Sequence, residues 1–247
     1  MLIDSTISPP KAITSGVPGV IAELRLEDLP LFAGLTAAEL DEIRPLMKLQ
    51  RHPARYPLFD INDKDNSIYI VLTGTVKVFV QRGNGSCIVL NILGPGEIIG
   101  EISAIDGLNH SASAMVVEAS LVAQMRRDDF MACMERYPQM GFNLARILVG
   151  RLRRLTEHAE ALATLDVGGR LARQLVVFAK QYGRRNDDDD LALGIQVTQI
   201  DLAQLTGTTR EQVNRFLRLF KSMELISVQG HEIIISNLTG LEQRYRL

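Results

Sequence analysis

Thr198-Gln199-Ile200-Asp201-Leu202-Ala203-Gln204-Leu205-Thr206-Gly207-Thr208-Thr209-Arg210-Glu211-Gln212-Val213-Asn214-Arg215-Phe216-Leu217 decides the class of this chain. Thr198 is a natural N-cap, because its hydroxyl can accept from a free backbone N–H of the first turn. Leu202, Ala203 and Leu205 carry a first helix to Gly207, where a glycine lets the backbone turn sharply. Thr208 stands three residues before Glu211, the spacing of a capping box, and is expected to open a second helix. There Val213, Phe216, Leu217 and Phe220 share one face, and Arg210, Gln212, Asn214, Arg215, Arg218 and Lys221 lie off it. Helix, glycine turn and helix together make a helix-turn-helix. Leu225 to Ile235 then reads as a two-stranded wing around Gly230.

The charge pattern fits DNA. The whole chain of 247 residues has net charge -2, so no global field attracts nucleic acid. Between Thr208 and Lys221, however, four basic residues face one acid, Glu211. A basic solvated face is the alternative; the caps, glycine turn and wing favour DNA. Arg210, in the first turn of the second helix, is placed to reach base edges in the major groove. A guanidinium there can pair with guanine O6 and N7, and Glu211 can accept from cytosine N4. Gln199, near the start of the first helix, is expected to contact phosphate alone.

Upstream, the pattern is helical from Asp128 to about Leu165. Ala145, Leu148, Leu152, Leu155, Ala159 and Leu162 recur at alternating steps of 3 and 4, an a/d seam, with Arg151, Arg153, Arg154, Glu157 and Glu160 off it. A helix lying on its own core shows a wider stripe, so the narrow seam predicts a homodimer. From about 50 to 125 the texture is short strands. Ile68–Leu72, Val76–Val80, Cys87–Leu93, Ala114–Val117 and Leu121–Met125 are separated by Thr73-Gly74, Arg82-Gly83-Asn84-Gly85 and Gly94-Pro95-Gly96. Such spacing predicts an antiparallel barrel or jelly roll. Thr36 and Glu39 form a further capping box.

The expected organisation is a loose arm over 1–20, a sensor domain over 21–138, a dimerisation helix over 139–166 and a DNA-binding domain over 167–247. Asp166-Val167-Gly168-Gly169 reads as the hinge, 170–182 as a helix, and 184–190 as a charged, solvated loop. Two distant cysteines, Cys87 and Cys133, make neither a disulfide framework nor a metal site. No secretory signal or membrane-length apolar run occurs, and the expected location is the cytoplasm. No phosphate loop, nucleophile elbow or His-rich metal motif suggests an enzyme.

These residues resemble the superfamily of the cyclic-AMP receptor protein and the fumarate–nitrate regulator, over roughly residues 25–245. Thr209-Arg210-Glu211-Gln212-Val213-Asn214-Arg215 is similar to its recognition segment, with Arg210, Glu211 and Arg215 at the base-reading positions. Leu165 to Ala172 is similar to its hinge and first DNA-domain helix, and Gly94 to Glu101 to the start of its phosphate-binding cassette. The resemblance implies an α+β protein: an N-terminal antiparallel β jelly-roll of cyclic-nucleotide-binding type, a long coiled-coil dimerisation helix and a C-terminal winged helix-turn-helix. It also implies double-stranded DNA with TGTGA-like half-sites, a second copy of the chain and RNA polymerase as partners, and a cyclic mono- or dinucleotide, such as cyclic AMP, as effector. The implied effector residues are Gly100, Glu101, His110, Ser111, Ala112 and Thr156. Two departures weaken cyclic AMP. His110 stands where the family has a phosphate-pairing arginine, and Leu155-Thr156 replaces a hydroxyl pair, so only Thr156 keeps a hydroxyl. The cysteine cluster of the fumarate–nitrate branch is absent. An effector-independent regulator and a regulatory subunit acting on a protein partner are the competing functions; the recognition segment argues against the second.

Overall fold

The computed structural model describes residues 25–63, 66–83, 85–186, 190–230 and 232–245. The arm expected over 1–20, Asn84 of the expected turn and residues 187–189 of the charged loop lie outside these.

Helix α1 (Ala37–Ile43) starts at the expected box: the Thr36 hydroxyl accepts from the Glu39 N–H, and the Glu39 carboxylate accepts from the Thr36 N–H at 2.7 Å. Eight strands follow in two antiparallel sheets. They are β1 (Met47–His52), β2 (Pro57–Phe59), β3 (Ile68–Thr73), β4 (Val76–Gln81), β5 (Cys87–Leu93), β6 (Ile98–Ile99), β7 (Ser113–Val116) and β8 (Ser120–Met125). One sheet runs β1-β8-β3-β6 and the other β2-β7-β4-β5. The period-two pattern of Val76–Val80 sets the β4–β5 register, with Val76 opposite Leu93 and Gln81 opposite Cys87. Strand β3 is buried on both faces, which is why it reads as a continuous apolar run: Ile68 and Ile70 join the core under the helices, and Tyr69 and Val71 the core between the sheets.

Helix α2 (Glu101–Asp106) interrupts the strands, and α3 (Arg127–Arg136) ends at Tyr137. Pro138 begins α4 (Pro138–Thr164), at a position whose N–H has no intrahelical partner in any case. The start of α4 is anchored by Asn143, whose amide donates to the Leu31 and Ala33 carbonyls at 3.0 and 2.8 Å.

The DNA-domain end corrects three expectations. Asp166 caps α5 (Val167–Tyr182) by accepting from the Gly169 N–H at 2.7 Å, so Gly168 and Gly169 lie inside the helix rather than in a hinge. Gly168 is there for close packing, since a Cβ would stand 2.6 Å from the Phe216 ring. Next, Arg184–Arg185 forms β9, paired with β10 (Leu191–Ala192). The wing strands β11 (Ile226–Gln229) and β12 (Glu232–Ile235) therefore belong to a four-stranded sheet ordered β11-β12-β10-β9. The pair of strands expected around Gly230 is its outer half. Thirdly, helix α6 (Gln199–Thr206) is capped by Thr198 as expected, but α7 (Arg210–Ser222) is capped by Thr209. The Thr208 N–H is spent on the Ala203 carbonyl, closing the end of α6. Helix α8 (Leu238–Tyr245) completes the domain.

Replacing Thr209 with Ala is expected to cost about 1 kcal/mol of stability by urea denaturation, as loss of an N-cap does. Thr208→Ala should stay within about 0.5 kcal/mol. The reverse order would move the cap back to Thr208.

Candidate functional site

The recognition helix presents its chemistry at its N-terminal end. Arg210, Glu211 and Arg215 are exposed, while Val213, Leu217 and Phe220 anchor the opposite face in the core. The Glu211 carboxyl is held below its ordinary range by its own backbone N–H and the Thr209 hydroxyl, so it is an ionised acceptor. The Arg215 guanidinium lies over the Phe216 ring, 4.9 Å from its centre. Asn214 donates to Gln199 at 3.2 Å, joining the two helices of the motif. Gln199, Arg210, Asn214, Arg218 and Lys221 line one groove with Gly230 of the wing and Val117 of the barrel. Thr209 is exposed and caps the helix, and Gln212 is half-buried beside it.

The second site is a cavity of about 580 Å³ between the barrel, α4 and α6. Gly100, Glu101, His110, Ser111 and Ala112 all border it. Thr156 does not: it is exposed, and its hydroxyl donates to the Leu152 carbonyl one turn back. Gly100 has φ +87, and a Cβ there would meet the Ser67 carbonyl at 2.6 Å, so the cassette turn requires glycine. His110 is buried, stacked on Phe59 with ring centres 3.8 Å apart. The Ser103 hydroxyl donates to the Gly100 carbonyl, so its contact with His110 Nδ1 at 2.9 Å is one in which the imidazole donates. Glu101 is buried and taken up by a residue of α4: Arg151 donates to it at 2.6 Å, and to Glu97 at 2.7 Å.

Glu97 is also where the DNA domain meets the barrel. Gln181 near the end of α5 donates to it at 2.5 Å, and Arg154 stands 3.7 Å away. Burial, then the Glu97 carboxylate, push the Tyr182 phenol far above its ordinary range, so it remains a donor toward Glu97. On the other side of the interface Lys77 of β4 pairs with buried Asp201 of α6 at 2.9 Å, and the Gln196 N–H donates to the Thr75 hydroxyl at 3.0 Å. Val89 and Ile92 of β5 lie in the same core as α5, α6 and α7.

Comparison with known proteins agrees with both halves of this arrangement. Residues 49–137 match the family described as cyclic nucleotide-binding domain, and residues 169–244 the Crp-like helix-turn-helix domain. The chain is 33% identical over 214 residues to the cyclic AMP receptor protein of Thermus thermophilus, covering 87% of this chain and 95% of that one. It belongs to the cyclic AMP receptor protein family. A second relative, a CRP-like cAMP-activated global transcriptional regulator of Mycobacterium tuberculosis, is 28% identical over 216 residues, with 87% and 96% covered. Such relatives are transcription regulators and not enzymes. The solved structure of FixK2 from Bradyrhizobium japonicum shares the fold, with a TM-score of 0.69 at 18% identity over 80% of this chain and 96% of that one.

Within this family frame, the side chains that organise the cavity are ones that sequence reasoning passed over. In the sequence Arg151 stands only as a charge off the seam. Yet Leu144, Ile147, Arg151, Arg154, His158 and Ala161 form a second row on α4 at helical spacing, and that row faces the protein. The row itself was the available signal. Burial pushes the His158 imidazole below its ordinary range, helped by Arg173 and Arg170, and it bonds to the Leu205 backbone of α6. No helix of the described residues is long and apolar enough to cross a membrane, and no group of acidic, His and Cys side chains among them could hold a metal ion.

Arg151→Met would leave Glu101 buried without its counter-charge and Glu97 with Arg154 alone, 3.7 Å away. Loss of one partner of a buried ion pair costs about 3–5 kcal/mol. Urea denaturation should therefore show a loss of that size, larger than for an exposed control such as Arg153→Met.

Proposed function

We propose that the protein is a homodimeric, effector-controlled transcription regulator of the cytoplasm that reads a palindromic DNA site and acts on RNA polymerase. The observation that carries this reading is the exposed triad Arg210, Glu211 and Arg215 at the start of a helix whose other face is locked in the core. The family resemblance at these three residues implies a TGTGA-like half-site, in which they read two guanines and the cytosine opposite one of them. Two half-site centres in a dimer lie about 34–36 Å apart.

The seam supports a dimer. Leu152 is 65% exposed, Leu155 56% and Leu162 46%, and Ala145 and Ala159 are exposed between them, while Leu148 is half-buried. Phe142 and Val149 widen this apolar face. Covering it in a parallel pair would set both recognition helices on one side. The barrel cavity is the effector site in this reading, because α4 and α6 both border it and α6 belongs to the DNA-reading motif. Control is supported by the groove beside α7: Val117 of the barrel lines it together with Gln199 and Arg210, so a duplex and the docked barrel compete for the same ground.

Two measurements test the proposal. Replacing Leu152 and Leu155 with Glu should give monomers in sedimentation, from a wild type that is dimeric at micromolar concentration; a monomeric wild type overturns the seam. Arg210→Ala should cost about 1–3 kcal/mol per half-site and relax discrimination at one base pair. Gln199→Ala should weaken all sequences alike, in competition binding at fixed salt. Equal loss on specific and random DNA for Arg210→Ala would make Arg210 a phosphate anchor.

A further inference from the structure

We propose that a latch at the base of the β4–β5 hairpin holds the DNA-binding domain against the barrel in an autoinhibited arrangement, and that the recognition helix engages a duplex only when this latch opens. The inference rests on the reading of α7 as the helix that reads DNA, and names the contacts that withhold it.

The obstruction is local. Val117, in the turn between β7 and β8, walls the groove that Gln199, Arg210, Arg218 and Lys221 also line. The next residue, Glu118, is a carboxylate that accepts from the Thr75 hydroxyl at 2.6 Å. Thr75 in turn accepts from the Gln196 N–H of the DNA domain at 3.0 Å. One hydroxyl therefore joins the barrel turn to the segment that leads into α6. A phosphate backbone entering this groove meets an apolar wall with a negative charge beside it, where it needs cations.

The latch itself is a single patch. The β4–β5 register sets Lys77 opposite Ile92, and Gly94 follows two residues on. A Cβ at Gly94 would stand 2.7 Å from Ile195 Cγ2 and 2.8 Å from Tyr182 Cδ1, both in the DNA domain. The backbone of Gly94 lies outside the left-handed region, so the turn does not require glycine there. The docked domain does. Beside it, Lys77 reaches Asp201, which is 3% exposed, at 2.9 Å. Ile195, Gln196 and Asp201 bracket the start of α6, so the barrel grips the entrance of the helix-turn-helix.

The chemistry of this grip makes it releasable. On undocking, Lys77 and Asp201 both regain hydration, which returns much of what their pairing contributes. Asp201 keeps its bonds to the Thr198 hydroxyl and α6 keeps its cap. In the docked arrangement, by contrast, Asp201 without Lys77 is a buried unpaired charge, and a side chain at Gly94 leaves no room for Ile195. Either change penalises docking specifically.

Gly94→Val and Lys77→Met test the latch in the full-length protein with no effector added, and Lys77→Arg is the control that keeps the charge. Opening is read from amide exchange at Gln196, whose N–H is bonded to Thr75 only when the domain is docked. Affinity is measured at fixed salt on a duplex with two TGTGA-like half-sites and on random duplex. Both variants should speed Gln196 exchange and tighten duplex binding roughly tenfold, because apparent affinity is reduced by the fraction of protein in the competent arrangement. Lys77→Arg should stay near wild type in both. The two substitutions are independent, so either decides the matter if the other does not fold. Faster exchange with unchanged or weaker duplex binding would show that docking is not inhibitory and overturn the proposal. Unchanged exchange in both variants would place the latch elsewhere and overturn it as well. If exchange speeds up but neither wild type nor any variant binds either duplex, the reading of α7 as a DNA-contacting helix falls, and the inhibitory role falls with it.

Discussion

A buried guanidinium must be paired, and Arg151 is paired twice. Its two carboxylates lie on either side of the short strand β6, Glu97 in the turn before it and Glu101 at the start of α2, and a third bond goes to the Ile98 carbonyl of the strand itself. A planar fork held at three points fixes the rotation of α4 about its own axis more firmly than apolar contacts could. That rotation decides which side chains of α4 turn to the barrel, as Arg151 does, and which are left exposed, as Leu152 and Leu155 are. Glu97 carries the constraint further, because its second oxygen accepts from Gln181 of α5. One carboxylate thus joins the sensor, the long helix and the DNA domain.

The interface between the barrel and the DNA domain combines an apolar and a polar part with different roles. Val89 and Ile92 are buried in the core of the C-terminal domain, and burial of this kind supplies most of the association energy. Lys77–Asp201 and Thr75–Gln196 contribute less net energy, because desolvation offsets much of the Coulomb gain. They set the docking angle instead: Asp201 is at once the partner of Lys77 and a member of the Thr198 cap. Moving α6 off the barrel would strip Asp201 of its cation while leaving the cap intact.

The helix-turn-helix is legible in the sequence because its signals are local. Caps, a glycine with positive φ at Gly207 and an amphipathic helix all act within a few residues. The cap of α7 fell one residue off because two adjacent threonines carry the same chemistry, and only the bond from Thr208 to Ala203 tells them apart. Gly168-Gly169 misled for a different reason. A glycine that frees the backbone and a glycine that admits an aromatic ring are identical in sequence. Strand β9 lies within the charged loop expected over 184–190, because it is two exposed arginines long and its partner β10 is held to the sheet by β12, more than forty residues on. The cavity was the least legible part, since Arg151 meets Glu97 and Glu101 across some fifty residues of chain. No periodicity records that distance, and a charged residue on a helix is otherwise most simply read as solvated.

Helix α4 spans 27 residues, about 40 Å, and three of its sides are committed: one to the barrel through Leu144 and Arg151, one to the exposed apolar face and one, near its end, to the DNA domain. Substitution at any one site touches one of these. Insertion or deletion touches all of them, because each added residue turns everything downstream by about 100°. A single extra residue between Arg151 and Leu162 would swing the last turns of the seam toward solvent or barrel while leaving composition almost unchanged. Seven extra residues would bring the faces back to within about 20° of their present alignment, but would lift the DNA domain away from the barrel by about 10 Å. The length of this helix is therefore as much a part of the protein's specification as the side chains it carries.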